Sequence, residues 1–482
     1  MVKSKRREER RRSLKRAVGI LIPLMVVFLF SSCTAVPRHI RIPLEDEGEV
    51  FVYVQPLPQE AGRLTFTLAD VVAVRDDEQE FPLTLRLTAL RAPEITRQRL
   101  FCEGVLPQGS YVGFSLRVAK ASLKGEEGEA DLLLPEKPVR VEFGFRVEGR
   151  KASVLFARFN YERSITDEFS FSPSFTLSSP TKPVIAVTGY ASNYNAYALT
   201  VFDKNAMQAV GAVATARRPK GVALDQRQRR VYTAMPEGDI VAVIDATTLE
   251  TLKDIRLNLG DAPQDLALTP DGRALLVVNA GSNTVSVVDT ALQIETARIA
   301  VGIGPNAVLM DRAGRRAYVF NTLSNTLSII DIAHRSLAAS LSTDPAPLWG
   351  QFNAKGDRLY IIFGQSPYMT VLDPFSLTVL SRAYVGLGMV ALKVDTATDL
   401  IYAGRMNDTG VDIYDPFLLV PVDHIAAGEG PAYMTIDGEE NNLWIVGGAT
   451  GKLIIVNLAS KKVVSQIDVG EETFRLAMMG ER

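Results

Sequence analysis

Seven Asx residues set a period that this chain must fold around. Asp203, Asp245, Asp289, Asp331, Asp373, Asp415 and Asn457 stand 42, 44, 42, 42, 42 and 42 residues apart, and each closes a short run of β-formers: TVFD, AVID, SVVD, SIID, TVLD, DIYD and IIVN. Sixteen residues after most of them a second marker returns, at Pro219, Pro305, Pro347, Met389, Pro431 and Thr473. In the second repeat the marker is Pro263, two residues late, which absorbs the interval of 44. A repeat of this length is one supersecondary unit that cannot bury both faces alone, so neighbours must stack, in a propeller or a solenoid.

Residues 263–304 show the unit most clearly. Four apolar, β-branched runs (Asp265–Leu268, Ala274–Val278, Thr284–Val288 and Glu295–Val301) are separated by PDG, by NAGSN and by a polar turn at Thr290–Gln293. The runs are too short for helices and lack the i, i+3, i+4 spacing. Four strands with tight turns make one antiparallel blade. A ring of carboxylates is one reading of the repeated Asp. The reading preferred here is a turn role, because an Asx side chain at a strand end accepts hydrogen bonds from the next turn's backbone, and Asn457 serves equally. The first repeat, from Val184, holds only three strands, whereas the last residues, TFRLAMMG, match a first strand in register. The tail is therefore expected to supply the inner strand of the first blade and to close a ring of seven.

The units VVNAGSNTVSVVD and YVFNTLSNTLSIID resemble the YVTN-type β-propeller repeat. The resemblance spans residues 184–482 and loosens at LYIIFGQSPYMTVLD and IYAGRMNDTGVDIYD. It implies a seven-bladed β-propeller. It leaves function open, because that architecture hosts both binding proteins and enzymes.

The start of the chain reads as a targeting segment. A basic stretch with nine Lys or Arg and two Glu in residues 1–16 precedes an apolar run, Ala17–Phe30. At 14 residues the run is shorter than the ~20 of a spanning helix, and it contains Pro23. The ending LFSSC resembles a bacterial lipoprotein processing site, which implies acylation of Cys33 and a mature N-terminus there; Phe30 departs from the usual smaller aliphatic. Residues 1–33 are thus expected to be a signal peptide and 34–48 a tether. An ordinary signal peptide and an uncleaved anchor are the alternatives. Beyond residue 16 there remain 44 basic and 53 acidic residues, a net −9 that argues against nucleic acid as partner. Thr34 lacks the Asp that, by resemblance to enteric bacteria, retains lipoproteins at the inner membrane, so the outer membrane is the expected location.

Residues 49–177 alternate apolar and polar over eight segments, which predicts an all-β module, a β-sandwich. Helix is expected only at Pro93–Leu100. LPQGSYVGFSLRVAKASL and ASVLFARFNYERSI look like transthyretin-like or immunoglobulin-like envelope modules, a likeness that implies no chemistry. Residues 178–183 link the module to the propeller. Cys102 is expected to be a buried, apolar side chain.

Motifs for catalysis are sparse. His39, His334 and His424 do not pair at metal-ligand spacing, two cysteines exclude a CxxC…CxxC site, and no GxSxG, HExxH or phosphate-binding loop stands in a suitable context. No metal and no cofactor are expected. Recognition is expected at the channel mouth, on the loops between second and third strands and on the blade-to-blade connections. The loop YASNYNAY stands out, with Tyr190, Asn193, Tyr194, Asn195 and Tyr197 offering amphipathic contact area. Asn279, Asn283, Asn321, Asn325, Trp349, Tyr368, Arg405 and Asn407 fall at the same mouth by register. The expected function is a lipid-anchored envelope protein whose propeller mouth recognises a protein or a glycan. The alternative is a propeller enzyme, a lactonase or a quinoprotein-type oxidoreductase, using mouth charges such as Arg217, Arg218, Asp261, Asp344, Asp408, Glu429, Glu471 and Glu472.

Overall fold

The computed structural model describes residues 45–125, 128–167, 169–181, 184–448 and 450–481. Cys33, the signal segment, His39 and most of the tether lie outside the described residues.

Two sheets open the described chain. One orders its strands Phe175–Ser178, Ala152–Phe159, Glu47–Val54, Arg99–Pro107 and Thr84–Leu85, with Glu47–Val54 and Ala152–Phe159 parallel. The other runs Glu80–Pro82, Leu64–Arg75, Gly109–Lys124, Glu129–Asp131, with Ala89–Arg91 and Val139–Val147 paired at its side. Val50, Val52, Val54 and Cys102 of the first sheet pack on Phe66, Leu68, Phe114 and Leu116 of the second, so the core lies between the sheets. Cys102 is fully buried, and burial pushes its thiol pKa up.

The expected helix at Pro93–Leu100 is absent: turns lead there into the strand Arg99–Pro107, which the alternation missed. That strand is buried on both faces, Phe101 toward the sandwich core and Leu100 toward the propeller, and two-sided burial erases the period of two.

Seven four-stranded antiparallel sheets follow among the described residues, which we number blades one to seven in chain order. In blade three the strands are Pro263–Leu268, Ala274–Asn279, Thr284–Asp289 and Ile294–Ala300, as the spacing predicted. The repeated Asx residues cap turns. Asp245 accepts from the backbone N–H of Thr247 and Thr248, Asp289 from Ala291 and Leu292, Asp373 from Phe375 and Ser376, and Asn457 from Ser460. These donors hold the Asp245 and Asp373 carboxyls below the usual range.

No strand ladder joins one blade to the next among the described residues; blades meet through side chains. Six apolar clusters lie each between two successive blades, from Tyr190, Leu199 and Val231 between blades one and two to Ile413, Met434 and Ile445 between blades six and seven. Inter-blade hydrogen bonds repeat too: Tyr190, Tyr318 and Tyr360 donate their hydroxyls to the carbonyls of Ala246, Pro374 and Pro416. The tail strand Leu476–Met478 pairs with Thr188–Asn193 and completes blade one, as expected, beside the inner strands of blades two and seven.

The seventh cluster, between blades seven and one, differs. Trp444, Val446 and Ile467 meet Ala198, Phe202 and Met478, and Phe51, Tyr53, Leu100 and Val154 of the N-terminal sandwich join them. Polar contacts align the seam. Gln98 hydrogen-bonds both the N–H and the carbonyl of Ala209 on blade one's outer strand, and Asp468 of blade seven accepts from Arg99 Nε at 2.7 Å and Leu100 N at 3.0 Å. Sandwich and propeller thus share one core at the ring's junction.

On the same face of Glu47–Val54 as Phe51 and Tyr53 sits Glu49, 3% exposed, with neither carboxylate oxygen hydrogen-bonded. Burial, and then the charge of Glu103, raise its pKa well above the ordinary value. A folded-state pKa above the unfolded one means that the contribution is fully present below the ordinary carboxylate value and is lost as pH rises through the folded pKa. Glu49→Gln is therefore expected to stabilise the protein at pH 8 by about 1–3 kcal/mol and to change little at pH 4. Urea midpoints at the two pH values check this; an equal shift at both would show that ionisation of Glu49 is not the cause.

Candidate functional site

One end of the blades gathers the second-to-third-strand loops and the connections between blades. The two are zipped together in register. Gly281 N donates to Asp261 O, Thr322 N to Gly304 O, Gly364 N to Ala346 O, Met406 N to Gly388 O and Gly448 N to Gly430 O, each at 2.8–3.0 Å. Asn283 Oδ1 accepts from Gly304 N, and Asn325 Oδ1 from Ala346 N, both Asn at positive φ. The rim is thus a rigid ring of tight turns whose tips face outward.

Most of the residues picked out by register brace this rim. Asn279 and Asn321 are fully buried and spend their amides on Thr284 and Ser286, and on Thr326 and Ser328. Tyr190 is not in a loop: it lies within the strand Thr188–Asn193, fully buried. Its register mates are Tyr232, Leu276, Tyr318, Tyr360, Tyr402 and Trp444, a column of large second-strand side chains. Asn193 is buried and caps the turn by accepting from Ala196 N. Arg405 occupies the same strand end as Asn279, and its guanidinium is tied to Asp412 at 2.7 Å and to Val385 O at 2.8 Å. The loop shrinks to residues 194–197. There Tyr197 is buried, Asn195 is half-buried, and Tyr194 lies edge-on to Phe474 and 4.9 Å from the Arg218 guanidinium. Tyr368 is partly exposed beside Tyr384 and Arg382, and Asn407 is exposed.

The mouth charges are mostly paired. Arg298 grips both oxygens of Asp261, Arg382 and Ser366 hold Asp344, Thr450 holds Glu429, Arg86 binds Glu471 and Glu237 binds Arg218. Among the described residues no three His, Cys, Asp or Glu side chains gather as metal ligands.

Two features escaped the sequence reading. The first is a crown of exposed apolar side chains on the turn tips: Leu259 (99% exposed), Leu323 (74%), Met406 (67%), Leu387 (66%) and Ile303 (57%). At Gly304, with φ 68°, an added Cβ would stand 2.5 Å from Leu323 Cγ, so the turn that presents Leu323 needs this glycine. The available signal was aliphatic residues inside glycine turns (GIG, GLG) where polar ones are usual.

The second lies on the axis. Arg475, just before the tail strand, is in register with Asp265, Trp349 and Tyr433 at the starts of inner strands. Its guanidinium stands 4.2 Å from the Trp349 ring centre and 4.7 Å from that of Tyr433, and hydrogen-bonds both oxygens of Asp265 at 3.4 Å. One side chain from blade one thereby reaches blades three, five and seven. Only the channel axis brings those together. Trp349 is half-buried there, and its Nε1 is buried with no hydrogen-bond partner.

Comparison with known proteins bears on the fold. No curated protein matches the sequence. Among solved structures the chain is similar to Kuenenia stuttgartiensis hydrazine synthase (18% identity, TM-score 0.51, covering 57% of this chain and 93% of that one). It is also similar to a functionally unknown protein from Desulfotomaculum acetoxidans DSM 771 (14% identity, TM-score 0.53, 60% and 98%). The family profile described as a YNCE-like β-propeller matches residues 174–392, which agrees with the four-stranded blades found there.

Proposed function

We propose that this is a lipid-anchored protein of the bacterial cell envelope, acylated at Cys33, whose seven-bladed YVTN-type propeller recognises a partner protein at its mouth. The observation that carries the reading is the apolar crown. Five large aliphatic side chains stand on turn tips around the channel mouth, while the third-to-fourth-strand turns at the other end expose Leu292, Phe375, Phe417 and Leu418; exposed apolar groups rimmed by polar residues mark protein interaction surfaces, and those at the mouth are held on hydrogen-bonded turns. Aliphatic tips favour a protein over a glycan, which rewards flat aromatic rings and hydrogen-bonding groups. The LFSSC ending supports the anchor, and the sandwich then serves to set the propeller above the membrane.

The test compares membranes from cells making the full chain with those making Leu323→Asp/Leu387→Asp. In-cell crosslinking is expected to yield a discrete adduct that the double variant loses about tenfold or more, since each buried apolar anchor contributes roughly 1.5–3 kcal/mol. An adduct of undiminished yield in the double variant counts against the crown. Cys33→Ser, in the same fractionation, is expected to move the chain from membrane to soluble fraction; palmitate labelling checks the acyl group.

A second reading, a propeller enzyme acting at the channel mouth, draws on the axial cluster, where partly buried ionisable groups converge. Hydrazine synthase, one of the structural neighbours, shares the fold only.

A further inference from the structure

The axial cluster is unbalanced. The Arg475 guanidinium lies over the Trp349 ring and the Tyr433 ring, which meet each other edge to face at 71°, and turns Nε and Nη2 toward Asp265. Lys220, on blade two just ahead of its inner strand, is half-buried, donates to Gln264 and stands 5.1 Å from the Phe474 ring centre. Burial first, and then the neighbouring Arg475, hold the Lys220 ammonium below the ordinary lysine range, with Asp265 acting the other way. Asp265 already accepts from Val308 N at 3.1 Å, and its bonds to Arg475 are long. Glu481, further along the channel, is engaged by Thr435 and lies 3.7 Å from Lys393. Glu481 also acts on the Tyr433 ring, so around the two rings there are three cations (Lys220, Arg475 and Lys393) against two carboxylates (Asp265 and Glu481), a surplus of one positive charge in a partly desolvated place, with an indole N–H that has no acceptor.

We propose that the mouth end of the channel binds a small carboxylate, with Lys220 and Arg475 as its cationic contacts and Trp349 and Tyr433 as its aromatic wall. A carboxylate pairs with a guanidinium through two parallel N–H···O bonds, and the 3.4 Å bonds to Asp265 leave that demand poorly met. The charge selects a monoanion: one negative group cancels the surplus, whereas a phosphate dianion would bring excess negative charge beside Asp265. The aromatic wall gives the organic remainder an apolar surface. This site is separate from the crown and does not depend on the partner reading.

The optical handle is built in. The chain has two Trp; Trp444 is fully buried and stacked on Phe202, so a ligand in the channel alters the emission of Trp349 alone. The full chain in neutral detergent is titrated at pH 7 with sodium acetate and with sodium butyrate, ionic strength held constant with sodium chloride, and separately with phosphate. A saturable emission change with the carboxylates is expected, tighter for butyrate. Arg475→Gln and Lys220→Met are expected to weaken it about tenfold or more, the worth of a charge-assisted hydrogen bond, and Lys220→Arg to keep it. Lys220 lies outside the tail strand, so its two variants decide the matter if Arg475→Gln does not fold. No saturable change, the same change with chloride, tighter binding of phosphate, or undiminished affinity in Lys220→Met overturns the proposal.

Discussion

Replacing Lys204 with Met is expected to lower the unfolding free energy by about 3–5 kcal/mol, because it strands a buried carboxylate. The Lys204 side chain is fully buried on blade one, and its ammonium meets three groups that do not belong to the strands beside it. It donates to Asp437 Oδ1 at 3.1 Å, to Glu439 Oε2 at 3.4 Å and to Met479 O at 2.6 Å. The first two are on blade seven and the third directly follows the tail strand, so one cation ties both sides of the junction to the returning chain. Asp437 is itself fully buried, with Oδ2 already lacking a hydrogen-bond partner. Glu439 is exposed, and its share is small. Removing the charge leaves Asp437 uncompensated. Lys204→Met/Asp437→Leu, which removes both charges, is expected to recover more than half of the loss. Urea denaturation of the three proteins measures it. A single-variant loss below 1 kcal/mol would mean that water reaches Asp437 and that the tie is not a latch.

Deleting residues 473–482 is expected to have the larger effect and to prevent recovery of a monomeric, folded protein. The deletion removes Leu476, Ala477 and Met478, all within 5% of full burial, at about 2–3 kcal/mol for each large side chain. It also bares the ladder edge of Thr188–Asn193 and takes away the Met479 carbonyl from Lys204. Together these rival the whole stability of an ordinary domain, roughly 5–15 kcal/mol. An unpaired flat edge also invites pairing with other chains. Size-exclusion chromatography with light scattering should show aggregate or unfolded chain, and a synthetic peptide of residues 473–482 should rescue part of the folded species. A truncated monomer melting within a few degrees of the full chain would show that blade one stands without its fourth strand.

The period carried most of the propeller. Asp203 through Asn457 marked the turns that the structure caps with Asx side chains, and the missing strand of the first repeat located its partner in the tail. What the period did not convey was which side of the register a residue served. Tyr190 was read with its loop, although Tyr232, Tyr318 and Tyr360 stood in column with it and showed a second-strand core position. Asn279 and Asn321 looked like surface amides, yet a buried amide bracing its own hairpin has the same letter. Arg99–Pro107 was invisible because both of its faces are covered. The axial cluster was beyond reach for a different reason. Arg475, Asp265, Trp349 and Tyr433 share a register position, but that four distant residues converge follows only from the ring's closure.

The seam where sandwich, first blade and last blade meet also sets an order in time. Strand Thr188–Asn193 is synthesised well before its inner partner, Leu476–Met478. Contacts so distant along the chain form slowly. Until the tail arrives, blade one waits with an open edge while six further blades are laid down. The sandwich, already complete by then, holds the opposite, outer side of that blade through Gln98 and Ala209. The N-terminal module is thus the first half of the clasp, made before the ring it fastens, and a chain stopped before Leu476 carries that half without the other.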